Sequence, residues 1–456
     1  MSNLPKKFLE TLMTINGFNE DSFMRSHEYP TPISVRINPF KKTEQCPSAG
    51  EAWNSEEKIQ WCDNGKYLPE RPSFTLDPLF HAGCYYVQEA SSMFLEQALK
   101  QTCDLSADLK ILDLCAAPGG KSTLISSLIS ENSMLVSNEV IKTRVNVLSE
   151  NLIKWGTANT YVTNNDPADF ARIPGFFDVI VIDAPCSGSG LFRKDPDAIK
   201  EWSEANVNLC SQRQQRILAD VFPALKENGI IIYSTCSYSK QENEDVLDWM
   251  VEEFLVSSCE LKVEEKWGVV ETISDKHKMN GYRFYPDKVK GEGFFIAVMK
   301  KTTSENSIGK RKETLLSISK REIGMLEGWV SGVSNLFCFK NNESVYAIPN
   351  SHRDYYEDLS KNLYIKKAGI CIGELMRNEL IPDHQLAMSL MKNKNIPSIE
   401  IDKKTALNYL RKETISVKGN IGWNLINYEG HSLGWAKLMP NRMNNYYPKE
   451  WRILIK

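Results

Sequence analysis

Short apolar runs alternate with longer segments of helical periodicity between residues 109 and 300. The apolar runs are bounded by turn-forming residues, which is typical of strands. Five strands are predicted, at residues 110–115, 134–138, 160–163, 178–183 and 229–235. Strands that alternate with helices form parallel sheets that are covered by helices on both faces. The pattern therefore predicts a doubly wound α/β domain.

The longest helical pattern covers residues 203–226, with Ser203 as its capping residue. A late apolar run at residues 294–299 predicts one more strand, at or near the edge of the sheet. The polar stretch at residues 301–312 predicts a linker that closes this domain.

A length of 456 residues favours more than one structural unit. We expect an N-terminal segment (residues 1–105), a central domain (106–300) and, after the linker, a C-terminal region (313–456). Residues 1–10 contain no apolar run of signal-peptide length, and no stretch is apolar for long enough to cross a membrane. We expect a soluble, cytoplasmic monomer without a membrane partner.

Composition and charge indicate which classes of molecule the protein can bind. Hydrophobic residues make up 42% of the chain and charged residues 25%, which are ordinary globular values. The net charge of −3 is unevenly distributed, because residues 301–456 carry 24 Lys and Arg against 16 Asp and Glu. This gives +8 at the C-terminal end and leaves −11 for the rest. A basic region can bind a nucleic acid by releasing counterions, although it can equally be a solvated surface.

Metal and disulfide chemistry are not indicated. The eleven cysteines are odd in number and scattered, no Cys-x-x-Cys pair occurs, and the six histidines are dispersed. We therefore expect no metal site. All cysteines except Cys186 and Cys236, nine in number and Cys46 among them, are expected to be small buried hydrophobic residues.

A strand runs into a loop of small residues at Asp-Leu-Cys-Ala-Ala-Pro-Gly-Gly-Lys, residues 113–121, and a helix follows. The spacing matches neither the dinucleotide fingerprint nor a phosphate-binding P-loop. Small residues at a helix N-terminus suit the carboxylate and sugar of a nucleoside ligand, although the Gly-Gly pair alone can be an ordinary tight turn.

Acidic residues follow the next two predicted strands. Glu139 is placed to accept hydrogen bonds from ribose hydroxyls, and Asp166 from an adenine amino group. A single acid at such a position is more often a turn or helix cap. Adenine and ribose without a phosphate cradle indicate S-adenosylmethionine.

Two cysteines follow directly after two of the strands, Cys186 in Asp-Ala-Pro-Cys-Ser-Gly (183–188) and Cys236 in Ser-Thr-Cys-Ser (234–237). If strands 178–183 and 229–235 are neighbours, both thiols emerge at the carboxyl edge of the sheet, where such sheets bind ligands. One thiol would attack a base while the other assists, and both would need some thiolate character.

These three motifs resemble the signatures of the Sun/Fmu-type RNA cytosine-5-methyltransferases. The resemblance continues at residues 32–39, 86–93, 283–286 and 293–297, and thus covers roughly residues 30 to 300. The tail, with Pro-Asp-His-Gln-Leu-Ala (382–387) and Gly-Trp-Ala-Lys (434–437), is similar to the PUA-like RNA-binding extension of bacterial ribosomal-RNA members.

The resemblance implies a Rossmann-like S-adenosylmethionine-dependent methyltransferase domain of the α/β class. It also implies an N-terminal α+β RNA-binding segment, a C-terminal PUA-like domain and RNA, most of all ribosomal RNA, as the partner. The implied cofactor residues are Cys115, Ala116, Ala117, Pro118, Gly119, Gly120, Lys121, Glu139, Asp166 and Asp183.

The resemblance further implies that Cys236 is the nucleophile, that Cys186 helps to resolve the adduct, and that Asp183 holds the N3/N4 edge of the cytosine. Carbon 5 of cytosine is a weak nucleophile, and a thiolate that adds to carbon 6 makes it reactive. Arg193 or Lys194 would meet RNA phosphate. Trp423, Trp435, Tyr446, Tyr447 and Trp451 are either stacking platforms for bases or core residues.

Three alternatives remain open on the sequence. The RNA substrate can be tRNA. In a DNA cytosine-5-methyltransferase, the Pro-Cys thiol at Cys186 would be the nucleophile. A non-catalytic RNA-binding assembly factor would keep the fold without the reaction, but this chain retains both thiols and the acids.

Overall fold

A ten-stranded mixed sheet lies at the centre of the computed structural model, which describes residues 4–41, 57–302, 315–376 and 379–455. Cys46 and most of the predicted linker, residues 303–312, lie outside these residues. Within the described part of the chain, no helix is long and apolar enough to cross a membrane.

The N-terminal elements are α1 (Lys6–Leu12), α2 (Glu20–Ser26), β1 (Ile33–Ile37), β2 (Gly65–Leu68), α3 (Pro78–His81), β3 (Tyr85–Val87) and α4 (Leu95–Thr102). The three strands form an antiparallel sheet in the order β2-β1-β3.

The central elements are β4 (Lys110–Asp113), α5 (Gly120–Leu128), β5 (Met134–Asn138), α6 (Lys142–Trp155), β6 (Thr160–Thr163), β7 (Phe177–Asp183), α7 (Asp197–Glu201), α8 (Glu204–Val221), β8 (Leu225–Thr235), α9 (Glu244–Glu253), β9 (Val256–Ser258), β10 (Val270–Ile273), β11 (Asn280–Phe284) and β12 (Phe294–Lys301).

The C-terminal elements are α10 (Lys320–Leu326), β13 (Leu336–Asn341), β14 (Ser344–Pro349), α11 (Arg353–Asn362), β15 (Ile365–Ala368), β16 (Ile370–Met376), β17 (Glu379–Pro382), α12 (His384–Met388), β18 (Ser398–Glu400), α13 (Lys403–Leu410), β19 (Gly422–Tyr428), β20 (His431–Met439) and β21 (Arg442–Asn445). They contribute two four-stranded sheets, β13-β14-β16-β17 and β18-β19-β20-β21.

The predicted doubly wound sheet is confirmed. The order of the large sheet is β10-β11-β12-β8-β7-β4-β5-β6-β15, and β9 pairs with β12. The five predicted strands form its parallel centre, β8-β7-β4-β5-β6. Strands β5 and β6 follow on one side of β4, and β7 lies on its other side. The strand order therefore reverses at β4, and open α/β sheets bind ligands in the crevice at such a point.

Both faces of this sheet are buried, and adjacent residues of a strand serve opposite faces. In β4, Ile111 packs with Trp61 and Phe94 of the N-terminal region, while Leu112 packs with Leu218 and other residues of the opposite core. This explains why the central strands are continuously apolar in sequence.

Two details of the prediction are wrong. The helix predicted at 203–226 ends at Val221, because Pro223 cannot donate a backbone hydrogen bond and a 3-10 turn follows. Strand β8 therefore starts at Leu225, earlier than predicted. Strand β12 lies near the sheet edge, as expected, with β11 and β10 outside it.

The large sheet extends across the predicted domain boundary. Strand β15, from the C-terminal region, pairs antiparallel with β6. Phe339, Tyr356 and Leu359 pack in the same core as the central strands. The C-terminal region therefore completes the sheet and its core.

Candidate active site

The two predicted thiols meet at the carboxyl edge of the sheet. Strands β7 and β8 are parallel neighbours with Asp183 opposite Ser234, so Cys186 and Cys236 follow at the same edge. Their Sγ atoms lie 3.0 Å apart, and both cysteines are free and half-buried. The structure thus brings together the two motifs that the sequence singles out.

The surroundings of Cys186 favour its protonated form. The hydrogen bond with Cys236, together with burial, raises the pKa of Cys186 well above its usual value. Cys186 therefore keeps its proton near neutral pH and can donate it toward the sulfur of Cys236. This direction is opposite to the thiolate character expected of Cys186, and the thiolate character of Cys236 stays a prediction.

A cavity of about 330 Å³ opens beside Cys236. Cys236 lines this cavity and Cys186 does not. The opposite wall is formed by the loop after β4, and the rest by the N-terminal region and by the segment before β12. The lining residues include Gln88, Glu89, Cys115, Ala116, Ala117, Pro118, Gly120, Lys121, Asp183, Lys194 and Phe294.

Asp183 joins the two sides of the cavity. Its Oδ2 accepts a hydrogen bond from Lys121 Nζ at 2.7 Å, and its Oδ1 accepts one from Ser234 Oγ at 2.9 Å. The Lys121 ammonium also lies 5.2 Å from the centre of the Phe294 ring. The cavity therefore presents a cation and a carboxylate side by side.

The loop after β4 is built around glycine. Gly119 has a φ of +115°, in the left-handed region that favours glycine, and it precedes the first residue of α5. A Cβ on Gly120 would lie 3.3 Å from the Tyr86 ring. The loop therefore leaves its backbone accessible at a helix N-terminus.

Glu139 and Asp166 do not line the cavity. Glu139 is buried after β5, where Oε1 accepts from Ile141 N at 2.9 Å and Oε2 lies 3.4 Å from an Arg144 nitrogen. Arg144 in turn donates to Ala117 O at 2.6 Å, which connects Glu139 to the loop. Asp166 caps a 3-10 helix, Pro167–Arg172, in a reciprocal capping box with Asp169.

The N-terminal region holds the loop and helix α5 in place. Arg36 is buried and donates to Gly120 O at 3.2 Å, to Thr123 Oγ1 at 2.6 Å and to Gln88 Oε1 at 2.9 Å. Burial lowers the pKa of Arg36 to about 10. The carboxylate of Glu89 accepts from the backbone nitrogen of Glu292 at 2.9 Å.

Of the two residues expected to meet RNA phosphate, Arg193 is used internally. Its side chain is buried and forms an ion pair of 2.8 Å with Glu292, and it donates to Gly291 O. Lys194 lines the cavity and remains a candidate.

Three family models match most of the chain. The model described as 16S rRNA methyltransferase RsmB/F matches residues 100–300. Those for the N-terminal domain of 16S rRNA methyltransferase RsmF and for the methyltransferase RsmF PUA domain match residues 4–90 and 396–453. Relatives named ribosomal RNA small subunit methyltransferase F, from Vibrio parahaemolyticus and Vibrio cholerae, are each 30% identical to this chain. Each alignment covers 98% of this chain and 97% of the relative. The chain belongs to the 16S rRNA methyltransferase RsmB/F family.

Solved structures agree with this assignment. A methyltransferase homolog protein from Pyrococcus horikoshii superimposes with a TM-score of 0.56 at 27% identity, over 66% of this chain and 96% of that chain. The NSun6 protein from the same organism, solved with SFG, has a TM-score of 0.54 at 20% identity, over 66% of this chain and 100% of that chain. The second likeness concerns the fold alone.

Membership of the RsmB/F family confirms the predicted Rossmann-like fold with its N-terminal and PUA domains, the enzyme class and the cofactor. The protein is an RNA methyltransferase that uses S-adenosylmethionine. The residues around the cavity fit this cofactor. The glycine loop gives access to backbone N–H groups, Lys121 offers a cation for a carboxylate, and Asp113 Oδ1 is buried without a hydrogen bond from any described residue.

Metal ligation finds no support in the described residues, which contain no group of three His, Cys, Asp or Glu side chains with suitable spacing. Of the other cysteines, Cys115 lies in the loop, and burial raises the pKa of its thiol. Of the tail aromatics, Trp435 and Tyr447 are buried core residues, whereas Tyr446 is exposed and its role in base stacking stays a prediction.

Sequence reasoning missed Glu242, which holds both cysteine loops. This buried carboxylate accepts from Ser187 N at 2.7 Å, from Ser187 Oγ at 2.6 Å and from Ser237 Oγ. Burial raises its pKa, against the effect of these hydrogen bonds. The next residue, Asn243, accepts from Thr235 Oγ1 at 2.6 Å and donates to Ser237 O at 2.8 Å.

The only sequence signal for these two residues is their position shortly after Cys236, where Glu and Asn otherwise indicate a helix start. Each of the serines bound by Glu242 directly follows one of the two cysteines.

Proposed function

We propose that this protein methylates carbon 5 of a cytosine in ribosomal RNA, through a covalent adduct between Cys236 and carbon 6. The observation that carries the proposal is the asymmetry of the two thiols. They lie 3.0 Å apart, but only Cys236 faces the cavity between the glycine loop and the Lys121–Asp183 pair. A nucleophile needs such access and an assisting thiol does not.

Cofactor binding is assigned to the residues at the carboxyl edge of the sheet. The loop from Cys115 to Lys121 supplies backbone donors and one cation, and Asp183 lies beside them. Glu139 is buried next to the loop, and we assign it to the ribose hydroxyls. We assign Asp166 to the adenine amino group. To bind it, the Asp166 carboxylate must either give up its hydrogen bond to the helix backbone or accept from the amino group in addition. When bound, the cofactor supplies a methyl group on a sulfonium that can accept an electron pair.

Cys236 attacks as the thiolate. Its sulfur forms a bond to carbon 6 of the cytosine, and the electron pair of the 5,6 double bond moves to carbon 5, which takes the methyl group. The Cys186 thiol donates a hydrogen bond to the Cys236 sulfur and so stabilises the thiolate before attack. The Asp183 carboxylate accepts a hydrogen bond from the N4 amino group of the cytosine, and the adjacent Lys121 ammonium binds the carboxylate of the cofactor.

Release reverses the addition. Carbon 5 gives its proton to solvent water that enters the cavity, the electrons of that bond re-form the 5,6 double bond, and the bond from carbon 6 to the Cys236 sulfur breaks. Cys186 is the nearest sulfur to that leaving group, and its raised pKa keeps the proton that the departing thiolate needs. We therefore assign Cys186 to product release.

The outer regions are proposed to bind RNA. We assign residues 1–105 and 313–456 to this role, with residues 106–300 as the catalytic domain and the linker between them. The match of residues 396–453 to a PUA domain and the +8 charge of residues 301–456 support this division. The cytoplasm, where ribosomal RNA is met, is the proposed location.

One experiment tests the reaction and the substrate together. Purified protein is incubated with labelled S-adenosylmethionine and, separately, with ribosomal RNA, small ribosomal subunits and tRNA, and the modified nucleoside is identified by mass spectrometry. We expect 5-methylcytosine in ribosomal RNA only. Label in tRNA alone, or on another atom of the base, would overturn the corresponding part of the proposal.

A further inference from the structure

A second cavity, of about 340 Å³, lies where three distant parts of the chain meet. One wall is formed by the residues that follow β1, a second by the segment after α12, and a third by the turn between β19 and β20. The lining residues that matter are Phe40, Lys41, Lys392, Asn427, His431 and Ser432. None of its lining residues belongs to the candidate active site.

The charged lining residues of this cavity are all cationic. Lys41, Lys392 and Lys394 line it, and no Asp or Glu does so among the described residues. Lys41 donates to Ala82 O at 2.9 Å and to Lys154 O at 2.5 Å, and Lys392 donates to Ser389 O at 2.9 Å. These carbonyls are neutral, so they orient the ammonium groups without neutralising them.

Burial makes this excess of positive charge unfavourable. It lowers the pKa of Lys41 to about 7, with a further contribution from the charge of Lys392, and it lowers the pKa of Lys392 to about 8. The pKa of His431 falls to about 4, because of burial and then the charges of Lys41 and Lys392, which outweigh that of Glu429. Buried cations are normally compensated by an anion.

Unpaired polar atoms surround the same space. His431 Nε2, Ser432 Oγ and Asn427 Oδ1 are buried and form no hydrogen bond with any described residue. Ser432 is only 7% exposed. A hydroxyl and an imidazole N–H are donors that suit an anion's oxygens, while the Asn427 oxygen is an acceptor that suits a ribose hydroxyl.

We propose that this cavity binds a phosphate group, held by Lys41, Lys392, His431 and Ser432. The backbone of bound RNA is the source of this phosphate, and this part of the inference rests on the proposed function. Phe40 and Leu390 are exposed apolar residues of the same cavity and can contact a neighbouring base. Free phosphate offers the same chemistry and is the other source to distinguish.

The test follows the ring signals of isotope-labelled histidine by NMR in the full-length protein, with His431 assigned from the His431→Gln variant. Inorganic phosphate is titrated first, and a short single-stranded RNA second. The variants are Lys392→Gln, Lys392→Arg and, as a control that removes the same charge from an exposed position, Lys418→Gln. RNA affinity is also measured as a function of salt concentration, without S-adenosylmethionine.

We expect the His431 signal to move in a saturable way with phosphate and with RNA, and RNA to displace phosphate. Lys392→Gln should weaken phosphate binding by about tenfold or more, since a hydrogen bond to a charged group is lost. The logarithm of the RNA association constant falls linearly with the logarithm of the salt concentration. Lys392→Gln should make this slope less steep by about 0.7, which corresponds to the loss of one phosphate contact. Lys392→Arg and Lys418→Gln should keep the His431 titration.

Saturable phosphate binding that RNA does not displace would support the site with free phosphate as its source. If neither probe moves the His431 signal and Lys392→Gln binds RNA with an unchanged salt slope, the proposal is overturned and the lysines only anchor carbonyl groups. Since no step requires methylation, this result is separate from failure of the proposed reaction.

Discussion

Lys121 Nζ and Asp183 Oδ2 lie 2.7 Å apart and connect the loop after β4 to the end of β7. Lys121 is assigned to the cofactor and Asp183 to the cytosine, so this ion pair joins the two binding sites. Asp183 lies three residues before Cys186 in the chain. The two halves of the site are therefore coupled, and a change to either partner is felt by the other.

We predict that Lys121→Met and Asp183→Asn divide the two functions of this pair. Lys121→Met should weaken S-adenosylmethionine binding by about tenfold or more, because a hydrogen bond to a charged group is lost. Asp183→Asn should change this affinity less and reduce the rate of methyl transfer more. Calorimetry and single-turnover assays measure the two quantities. Lys200→Met, in an exposed ion pair with Asp197, is the control. Equal effects of both variants on both quantities would contradict the division.

The contact between Cys186 and Cys236 predicts opposite outcomes for the two alanine variants. Cys236→Ala should abolish methylation and form no covalent species with RNA. Cys186→Ala leaves attack possible but removes the nearest sulfur to the leaving group, so a protein–RNA adduct should accumulate and survive denaturing electrophoresis. Cys259→Ala, a half-buried cysteine elsewhere, should behave as the wild type. An adduct in Cys236→Ala that vanishes in Cys186→Ala would reverse the assignment and favour the DNA-type mechanism.

The sequence predicts the parallel centre of the sheet because those strands are buried on both faces and are therefore continuously apolar, as Ile111 and Leu112 show. It also predicts that Cys186 and Cys236 share an edge, because residues that follow parallel neighbours must emerge together. Both inferences depend on local pattern and on sheet geometry alone.

Contacts between distant residues are not predictable in this way. The pairing of β15 with β6 leaves no local signal in either strand, although it places part of the C-terminal region in the central sheet. Deleting everything after the linker would therefore remove a strand and part of the core, and would not cleanly test RNA binding. Glu242 likewise looks like an ordinary helix-start acid until the fold brings Ser187 and Ser237 to it.

The buried carboxyl group of Asp113 predicts a pH dependence of stability. Burial raises its pKa from 3.8 to about 7. The folded protein therefore keeps this proton at pH values where the unfolded chain has lost it, so this contribution to stability is fully present below 3.8 and is lost as the pH rises through about 7.

Asp113→Asn cannot titrate and can still accept the hydrogen bond from Ser122. Its free energy of unfolding, relative to that of the wild type, should therefore rise with pH across this range, by an amount on the order of 4 kcal/mol. Urea unfolding without S-adenosylmethionine at a series of pH values measures the difference. Parallel pH profiles for the two proteins would show that Asp113 ionises normally.

We predict that removal of the Glu242 carboxylate lowers the rate of methyl transfer without lowering the affinity for the cofactor. In Glu242→Gln, an amide NH2 replaces the carboxylate oxygen that the Ser187 and Ser237 hydroxyls share, so both hydroxyls must turn to accept from it. The charge-assisted hydrogen bonds that hold the two cysteine loops are then lost, and the loops are held less firmly. Because a displacement of about 1 Å can cost about 100-fold in rate, kcat should fall by up to that factor. The KM for S-adenosylmethionine should stay unchanged, since Glu242 does not line the cavity.

A second readout separates positioning from simple destabilisation. In the Cys186→Ala background, Glu242→Gln should reduce the yield of the covalent RNA adduct, because the loop that carries Cys236 is no longer held. Glu227→Gln, at an exposed position within β8, controls for the loss of charge. If kcat falls only in proportion to the loss of folded protein, so that the rate per folded molecule is unchanged, the carboxylate is only structural. An unchanged adduct yield with lowered kcat would instead place its effect after attack, at product release.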